Sequence, residues 1–170
     1  MLIHDHNDGS DDMWIYLPAL RRERRIVSSE RGNNFMGSEF TNADMSRPNL
    51  NDFNHTLLGT EGVNGKQCWM VESACKTEDI EDDNGFSRMV AYIEKGTFLT
   101  HRVEYYDFSN RLHRVMTIND YRKQSNGKMF AFSMEVQNVQ NQRRSEMIVN
   151  QFQLGSQLTE ADFSVAAMSR

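Results

Sequence analysis

The sequence predicts a mainly β protein organised around an antiparallel sheet. Apolar and polar residues alternate with period two along most of the 170 residues, which is the pattern of strands that bury one face. The links between alternating segments are short and carry turn residues, as in Ser125-Asn126-Gly127. Strands joined by short links pair antiparallel, so we expect a meander. Helix signals are few.

The elements follow in chain order. Asn64-Gly65 is a hairpin turn between two strands. The pairs Thr41/Asp44 and Thr159/Asp162 fit capping boxes, which predict one or two short helices. The charged stretch 75–86 is predicted as a solvated loop. The alternating segments are 12–17, 20–27, 55–61, 66–74, 87–94, 98–107, 112–123, 128–139 and 143–154.

Several strands are apolar on both faces. Segment 128–139 carries Phe130 and Phe132 on one face and Met129 and Ala131 on the other. A sheet with one wet face alternates more cleanly. Two interpretations remain open from the pattern. Either the sheet is covered, by a second sheet or by helices, or it is curved and holds an apolar cavity.

Length and charge exclude several classes of protein. A chain of 170 residues and 19.8 kDa predicts one domain. The net charge of −5 disfavours a nucleic-acid partner, because nucleic-acid-binding proteins are usually basic. The longest apolar run, 14–20, is far shorter than the roughly 20 residues of a spanning helix, so no transmembrane segment is predicted. The first residues show neither the basic start nor the apolar core of a signal peptide.

The two cysteines are predicted to be free thiols. Cys68 and Cys75 fall in one predicted strand, where seven steps separate their Cα atoms by about 23 Å. A disulfide needs about 4.4–6.8 Å. The odd spacing also places the two side chains on opposite faces.

Segment 4–12, HDHNDGSDD, has the composition of a metal site but not the pattern of a calcium loop. Gly9 occupies a position where a ligand is required, and Ser10 replaces the obligatory glycine. The simpler interpretation is a hairpin turn at Asn7-Asp8-Gly9. No metal site is predicted.

A basic cluster occupies residues 21–25. Aromatic residues that could stack on bases do not accompany it, and Asp11, Asp12 and Glu30 are near enough in sequence to pair with it. We therefore expect a structural or partner-docking role, for instance towards an anionic headgroup or a membrane partner. The candidate docking residues are Arg21, Arg22, Arg24 and Arg25.

Catalytic patterns are lacking in the sequence. The five histidines fall in no known motif, and neither a G-x-S-x-G elbow nor a phosphate-binding loop is present. We therefore expect a protein that is not an enzyme and needs no cofactor.

Three early blocks, 8–26, 33–45 and 55–73, resemble the outer-membrane lipoprotein-sorting protein family, the LolA-like group. The most specific parts are WIYLPAL and FMGSEF. Segments 85–107, 112–123, 134–154 and 158–164 are similar to it as well, so the resemblance covers nearly the whole chain in order.

The resemblance implies a strongly curved antiparallel sheet that forms an open half-barrel with one or two short helices. It implies a single LolA-like domain over 1–170, with the family's N-terminal helix and first strands missing from this chain. It also implies a periplasmic location and an acyl lipid or lipoprotein as the partner.

The resemblance favours a carrier or chaperone that holds acyl chains in an apolar cavity, serving lipoprotein sorting or an exporter. The alternative is an accessory module of a resistance-nodulation-division exporter in the inner membrane, without lipid cargo. The strand residues expected to line the cavity are Trp14, Tyr16, Trp69, Val71, Tyr92, Val103, Tyr105, Met116, Ile118, Phe130, Phe132 and Met134.

Overall fold

The computed structural model describes residues 1–6 and 11–169, and it contains two antiparallel sheets. The smaller sheet has the order β1-β2-β3, with β1 at Leu2–His4, β2 at Asp12–Leu17 and β3 at Arg22–Ile26. Residues 28–52 then form a series of 3-10 turns that lead into the larger sheet.

The larger sheet is an open meander in which each strand pairs with its neighbour in the chain. Its order runs from β10 back to β4, so the outermost strands do not pair with each other. The predicted mainly β, antiparallel fold is confirmed. The strands are β4 (Phe53–Val63), β5 (Lys66–Cys75), β6 (Arg88–Glu94), β7 (Thr100–Tyr106), β8 (Leu112–Lys123), β9 (Met129–Asn138) and β10 (Arg144–Ile148).

Irregularities interrupt the ladders of the large sheet at three places. The register shifts between Leu57 and Gly59 in β4, between Tyr92 and Ile93 in β6, and between Tyr105 and Tyr106 in β7. An extra residue in one strand bends that strand and increases its twist. The shifts therefore favour a sheet that curves rather than lying flat.

Both predicted capping boxes are present. The Thr41 backbone N–H donates to Asp44 Oδ2 at 2.7 Å, and the Asp44 N–H donates to Thr41 Oγ1 at 3.3 Å. This box holds a single 3-10 turn at Ala43–Met45. The second box, between Thr159 and Asp162, begins the turn Glu160–Phe163.

The prediction of a loop over 75–86 was wrong, because an α-helix, α1, spans Glu78–Asn84. The Thr77 hydroxyl accepts a hydrogen bond from the backbone N–H of Ile80 and so caps the first turn. Acidic side chains in that turn interact favourably with the positive end of the helix dipole. Gly85 ends the helix in the left-handed conformation, with φ 76°.

The face of the large sheet that carries the main core is called the inner face. Buried side chains from four of its strands meet Phe40 and Phe86 there. The small sheet has its own core of Met13, Ile15 and Ile26. Phe35 and Met45, from the connecting turns, contact both cores and so join the two sheets.

The outer face of the large sheet carries a smaller apolar cluster, which includes Val63, Cys68 and Val90. Apolar residues therefore lie on both faces, as the sequence indicated. Cys68 belongs to the outer cluster, whereas Cys75 packs against the inner core. Both thiols are free, which confirms their prediction. Burial raises the pKa of Cys75 to about 12.

Candidate ligand-binding face

The inner face is covered at one end and uncovered at the other. One row of cross-strand neighbours runs along it from β9 to β4. The first three members of this row are buried, the next two are half-buried, and the last, Leu57, is 63% exposed. The apolar row is therefore covered by other parts of the chain at its β9 end and exposed to solvent at its β4 end. The row consists of Val136, Met116, Val103, Ala91, Val71 and Leu57.

A second group of apolar side chains adjoins the uncovered end. Trp69 lies opposite Ile93, and both are half-buried. The ring of Phe98, which is 70% exposed, packs on Trp69 with 5.5 Å between the centroids. The Lys95 ammonium lies 6.0 Å from the Trp69 ring. We define the open patch as Leu57, Trp69, Val71, Ile93 and Phe98.

The β9 side of the inner face is closed by the C-terminal segment. Phe152 stacks on Phe130 with ring centroids 4.1 Å apart. The Val149 backbone N–H donates to the Phe132 carbonyl at 2.9 Å and holds the segment in place. The Arg122 guanidinium covers the Phe132 ring at 4.2 Å. Apolar surface on this side is therefore already occupied.

The structure divides the twelve expected cavity residues among three surfaces. Nine lie on the inner face, and only Trp69 and Val71 among them belong to the open patch. Tyr92 lies on the outer face, where the Arg102 guanidinium covers its ring. Trp14 and Tyr16 alternate with Met13 and Ile15 in β2 and so point away from the core of the small sheet. The nine are Trp69, Val71, Val103, Tyr105, Met116, Ile118, Phe130, Phe132 and Met134.

The four arginines of the basic cluster differ in their partners. Arg24 forms an ion pair with Glu30, and Arg25 forms one with Asp12. Two of the three acidic neighbours expected from the sequence are thus partners of the cluster, while Asp11 lies 3.9 Å from Arg31. Arg21 and Arg22 are exposed and form no ion pair among the described residues.

A buried ionic cluster attaches residues 38–45 to the large sheet, and sequence reasoning missed it. Arg114 Nη1 donates to Asp44 Oδ2 at 2.7 Å and to the Glu39 carbonyl at 3.1 Å. Asn138 Nδ2 donates to Glu39 Oε2 at 3.0 Å. Burial raises the pKa of the adjacent Tyr105 hydroxyl. The acidic residues of this block gave no sign in the sequence that they would be buried.

A second polar cluster lies at the tips of the hairpins on the outer face. Glu94 accepts from His101 at 2.9 Å and pairs with Lys66 at 3.1 Å. Hydrogen bonds from His101, Thr97 and Lys66 lower the pKa of Glu94 to about 2. A cavity of about 370 Å³ lies beside them. Because Glu94 interacts with residues of two neighbouring strands, the cluster stabilises the hairpin tips.

A further cavity of about 330 Å³ lies between the small sheet and α1, lined by Asp11, Arg31 and Asp83 among others. Burial raises the pKa of Asp83. Within 1–6 and 11–169, the acidic, His and Cys side chains form no group suited to holding a metal ion. The hairpin turn predicted at 7–9 lies outside the described residues. Over the same ranges, the helices are too short or too polar to cross a bilayer.

A family model described as "Uncharacterized protein" matches residues 1–170. The chain belongs to this family, DUF1329. A DUF1329 protein from Desulfovibrio piger is 28% identical to it with a TM-score of 0.82, over 97% of this chain and 68% of the other. The curated proteins gave no match.

Two further solved structures connect this DUF1329 chain with the LolA-like group. One, from Vibrio parahaemolyticus, is described as an outer membrane lipoprotein-sorting protein domain. It is 28% identical with a TM-score of 0.90, over 99% of this chain and 70% of the other. The second is a LolA superfamily protein from Nitrosomonas europaea, 16% identical with a TM-score of 0.59, over 90% of this chain and 66% of the other. It shows the fold alone. The LolA-like resemblance is confirmed.

Proposed function

We propose that this protein is a non-enzymatic periplasmic carrier that holds the acyl chains of a lipid or lipoprotein against the open patch. The observation that carries the proposal is the inner-face row, which runs without a polar break from buried Val136 to exposed Leu57. The similarity to a lipoprotein-sorting domain supports it.

The chemistry of the open patch suits a hydrocarbon ligand. All five of its side chains are apolar, and large exposed apolar patches mark interaction sites. Each methylene that a ligand buries there contributes about 0.8 kcal/mol. The Lys95 ammonium, 6.0 Å from the centre of the Trp69 ring, is placed to stay hydrated beside a headgroup. Binding and release need no covalent step.

The two tryptophans supply a direct test, because Trp69 belongs to the open patch and Trp14 lies on the small sheet. In Trp14→Phe, a fatty acid brominated along its chain should quench most of the fluorescence of the remaining Trp69. In the matched variant Trp69→Phe, Trp14 should keep its fluorescence. Equal quenching in both variants, or none in either, would contradict the proposal.

Blocking the patch gives an independent measure. Val71→Glu places a carboxylate on the inner face, and we expect acyl-chain affinity to fall at least tenfold. Phe108→Glu is the control, because Phe108 is an exposed apolar residue in the turn between β7 and β8. Native mass spectrometry of protein purified without detergent reports both the bound lipid and the compactness of each variant.

A second candidate function is docking to a resistance-nodulation-division exporter of the inner membrane. It is favoured by Arg21 and Arg22, which are exposed and available to a partner. The double variant Arg21→Glu/Arg22→Glu should weaken binding to such an exporter in a surface-binding assay and leave lipid uptake intact. Lys123→Glu/Lys128→Glu makes the same charge change on exposed residues elsewhere. If both double variants behave alike, the docking function loses its support.

A further inference from the structure

The carboxylates of strands β4–β7 all lie on one face of the large sheet. Each of these strands carries one carboxylate, and each carboxylate is a direct cross-strand neighbour of Cys68 or of Val90. Cys68 and Val90 belong to the outer cluster. The inner face of these four strands, which the structure describes in full, therefore carries no carboxylate. The four carboxylates of the outer face are Glu61, Glu72, Glu94 and Glu104.

Lys95 places a cation at the hairpin-tip end of the open patch. Its backbone N–H donates to the carbonyl of Gln67, two residues before Trp69, at 2.9 Å. Its ammonium lies 6.0 Å from the centre of the Trp69 ring. Lys95 is exposed, and within 1–6 and 11–169 it has no ion-pair partner, since the neighbouring Glu94 pairs with Lys66. The charge of Lys95 is therefore uncompensated beside an apolar surface.

The opposite end of the open patch is closed by neutral groups. Ser73 follows Val71 on the inner face of β5 and is only 4% exposed. The two ring nitrogens of His55 lie 2.9 Å from the Ser73 hydroxyl and 3.1 Å from the Leu50 carbonyl. A neutral imidazole satisfies both contacts, because one nitrogen donates to the carbonyl and the other accepts from the hydroxyl. The patch is thus positive at the hairpin tips and uncharged where the core begins.

We infer that the ligand of the open patch is a long-chain fatty acid, bound with its carboxylate at Lys95 and its chain directed along β5 towards Ser73. The inference rests on the proposed carrier function and names its ligand. Gln67 and Ser73 are six residues apart on one strand, a distance of about 20 Å that an extended acyl chain can span. A carboxylate at Lys95 gains an ion pair and meets no like charge on the inner face.

The available donors favour a carboxylate over a phosphate. Phosphates are often held by an arginine fork, which donates two parallel hydrogen bonds. Both arginines on the inner face of the described strands are already engaged, because Arg114 pairs with Asp44 and Arg122 pairs with Asp120. Lys95 supplies a single point charge, which matches a compact monoanion.

A comparison of a fatty acid with its primary amide tests the inference, because the amide has the same shape and no charge. Both ligands carry bromine along the chain, and quenching of Trp69 in Trp14→Phe gives their affinities at about pH 8, where a carboxyl group is ionised. The ratio of acid affinity to amide affinity should fall about threefold to fivefold when Lys95→Gln is added. It should fall further with Lys95→Glu.

Lys128 supplies the matched control, since it is exposed in the turn between β8 and β9. Lys128→Gln and Lys128→Glu should leave the ratio of acid to amide affinity unchanged. With Lys95 in place, raising the salt from about 20 mM to about 500 mM should lower the ratio towards that of Lys95→Gln, because salt screens exposed charges.

The outcomes separate the inference from the proposed function. If neither ligand quenches Trp69, acyl-chain carriage fails and the inference fails with it. If both ligands bind and the Lys95 and Lys128 variants share one ratio, carriage stands and the fatty-acid inference is overturned. Equal losses of acid and amide affinity in Lys95→Gln overturn it too, because Lys95 would then act through packing. A lysophosphatidylglycerol of the same chain that loses more affinity than the acid in Lys95→Gln would assign the site to a phosphate head instead.

Discussion

Single buried charges decide how residues 38–45 attach to the large sheet. Arg114 bridges Asp44 and the Glu39 carbonyl, and both Glu39 and Arg114 are almost entirely buried. Removing one partner of such a cluster leaves the remaining charges in an apolar medium without compensation. A single substitution in this cluster should therefore destabilise the fold more than the loss of an exposed ion pair does.

Arg114→Met should lower the free energy of unfolding by about 3–5 kcal/mol, because the buried Asp44 carboxylate then lacks its counter-charge. Arg144→Met is the control. It removes an exposed arginine that pairs with Glu135, and exposed pairs contribute about 0–1 kcal/mol. Urea unfolding followed by circular dichroism measures both. Similar losses for the two variants would show that the buried cluster is not an anchor.

Glu94 gives the protein a predictable response to acid. Its pKa is about 2 in the folded chain, against an ordinary value of 4.5. The unfolded chain therefore takes up a proton first as the pH falls, and stability drops between pH 4.5 and about 2. In Glu94→Gln this part of the acid dependence should be absent. Urea midpoints at pH 5 and pH 3 should thus differ less in the variant than in wild type.

At the scale of elements, the contact between α1 and the turns before it is set by two glycines. A Cβ added to Gly85 would lie 2.9 Å from the Gly32 Cα, which no side chain tolerates. Gly85 also needs its left-handed conformation to end the helix. The helix can approach the turn this closely only because neither residue has a side chain.

Gly85→Ala should destabilise the chain more than Gly65→Ala. Both glycines have φ 76°, so both substitutions suffer the same backbone strain of about 1–2 kcal/mol. Only Gly85 adds a steric clash, since nothing lies within 4 Å of a Cβ at Gly65. Overpacking costs about a further 1–3 kcal/mol. Equal thermal midpoints for the two variants would contradict this account.

The strands could be predicted from the sequence, whereas their faces could be predicted only in part. Alternation fixes which residues share a face, so Phe130, Phe132 and Met134 were correctly grouped. It does not say which face meets the core. Tyr92 was expected to line the same cavity as Trp69, yet the two lie on opposite faces of the large sheet. That choice depends on where residues 28–52 pack, which is a long-range property.

The helix α1 shows a different limit. Its interior is almost entirely acidic, so it lacks the apolar stripe by which an amphipathic helix is recognised. The signals that specify it are local and lie at its ends, at Thr77 and Gly85. Capping patterns predicted the short turns at 43–45 and 160–163. At 75–86 the acidic composition instead indicated a solvated loop.

At the scale of the whole molecule, we propose that the described residues form one cooperative domain, since Phe35 and Met45 contact the cores of both sheets. Trp14 and Trp69 report on the small and the large sheet respectively. In each of Trp14→Phe and Trp69→Phe the fluorescence midpoint should therefore coincide with the circular dichroism midpoint of the same variant, and Phe35→Ala added to each should lower both together. A fluorescence midpoint that departs from the circular dichroism midpoint of the same variant would mean two domains.

The meander order has a consequence for how the chain folds. Every pairing in the large sheet joins strands that follow one another in the chain, and the links between them are short except for the one that holds α1. Topologies dominated by local pairings fold faster than those that depend on distant ones. The large sheet can thus form one hairpin at a time, in either direction along the chain. The slow step is then the docking of residues 28–52 and of the small sheet onto the assembled large sheet.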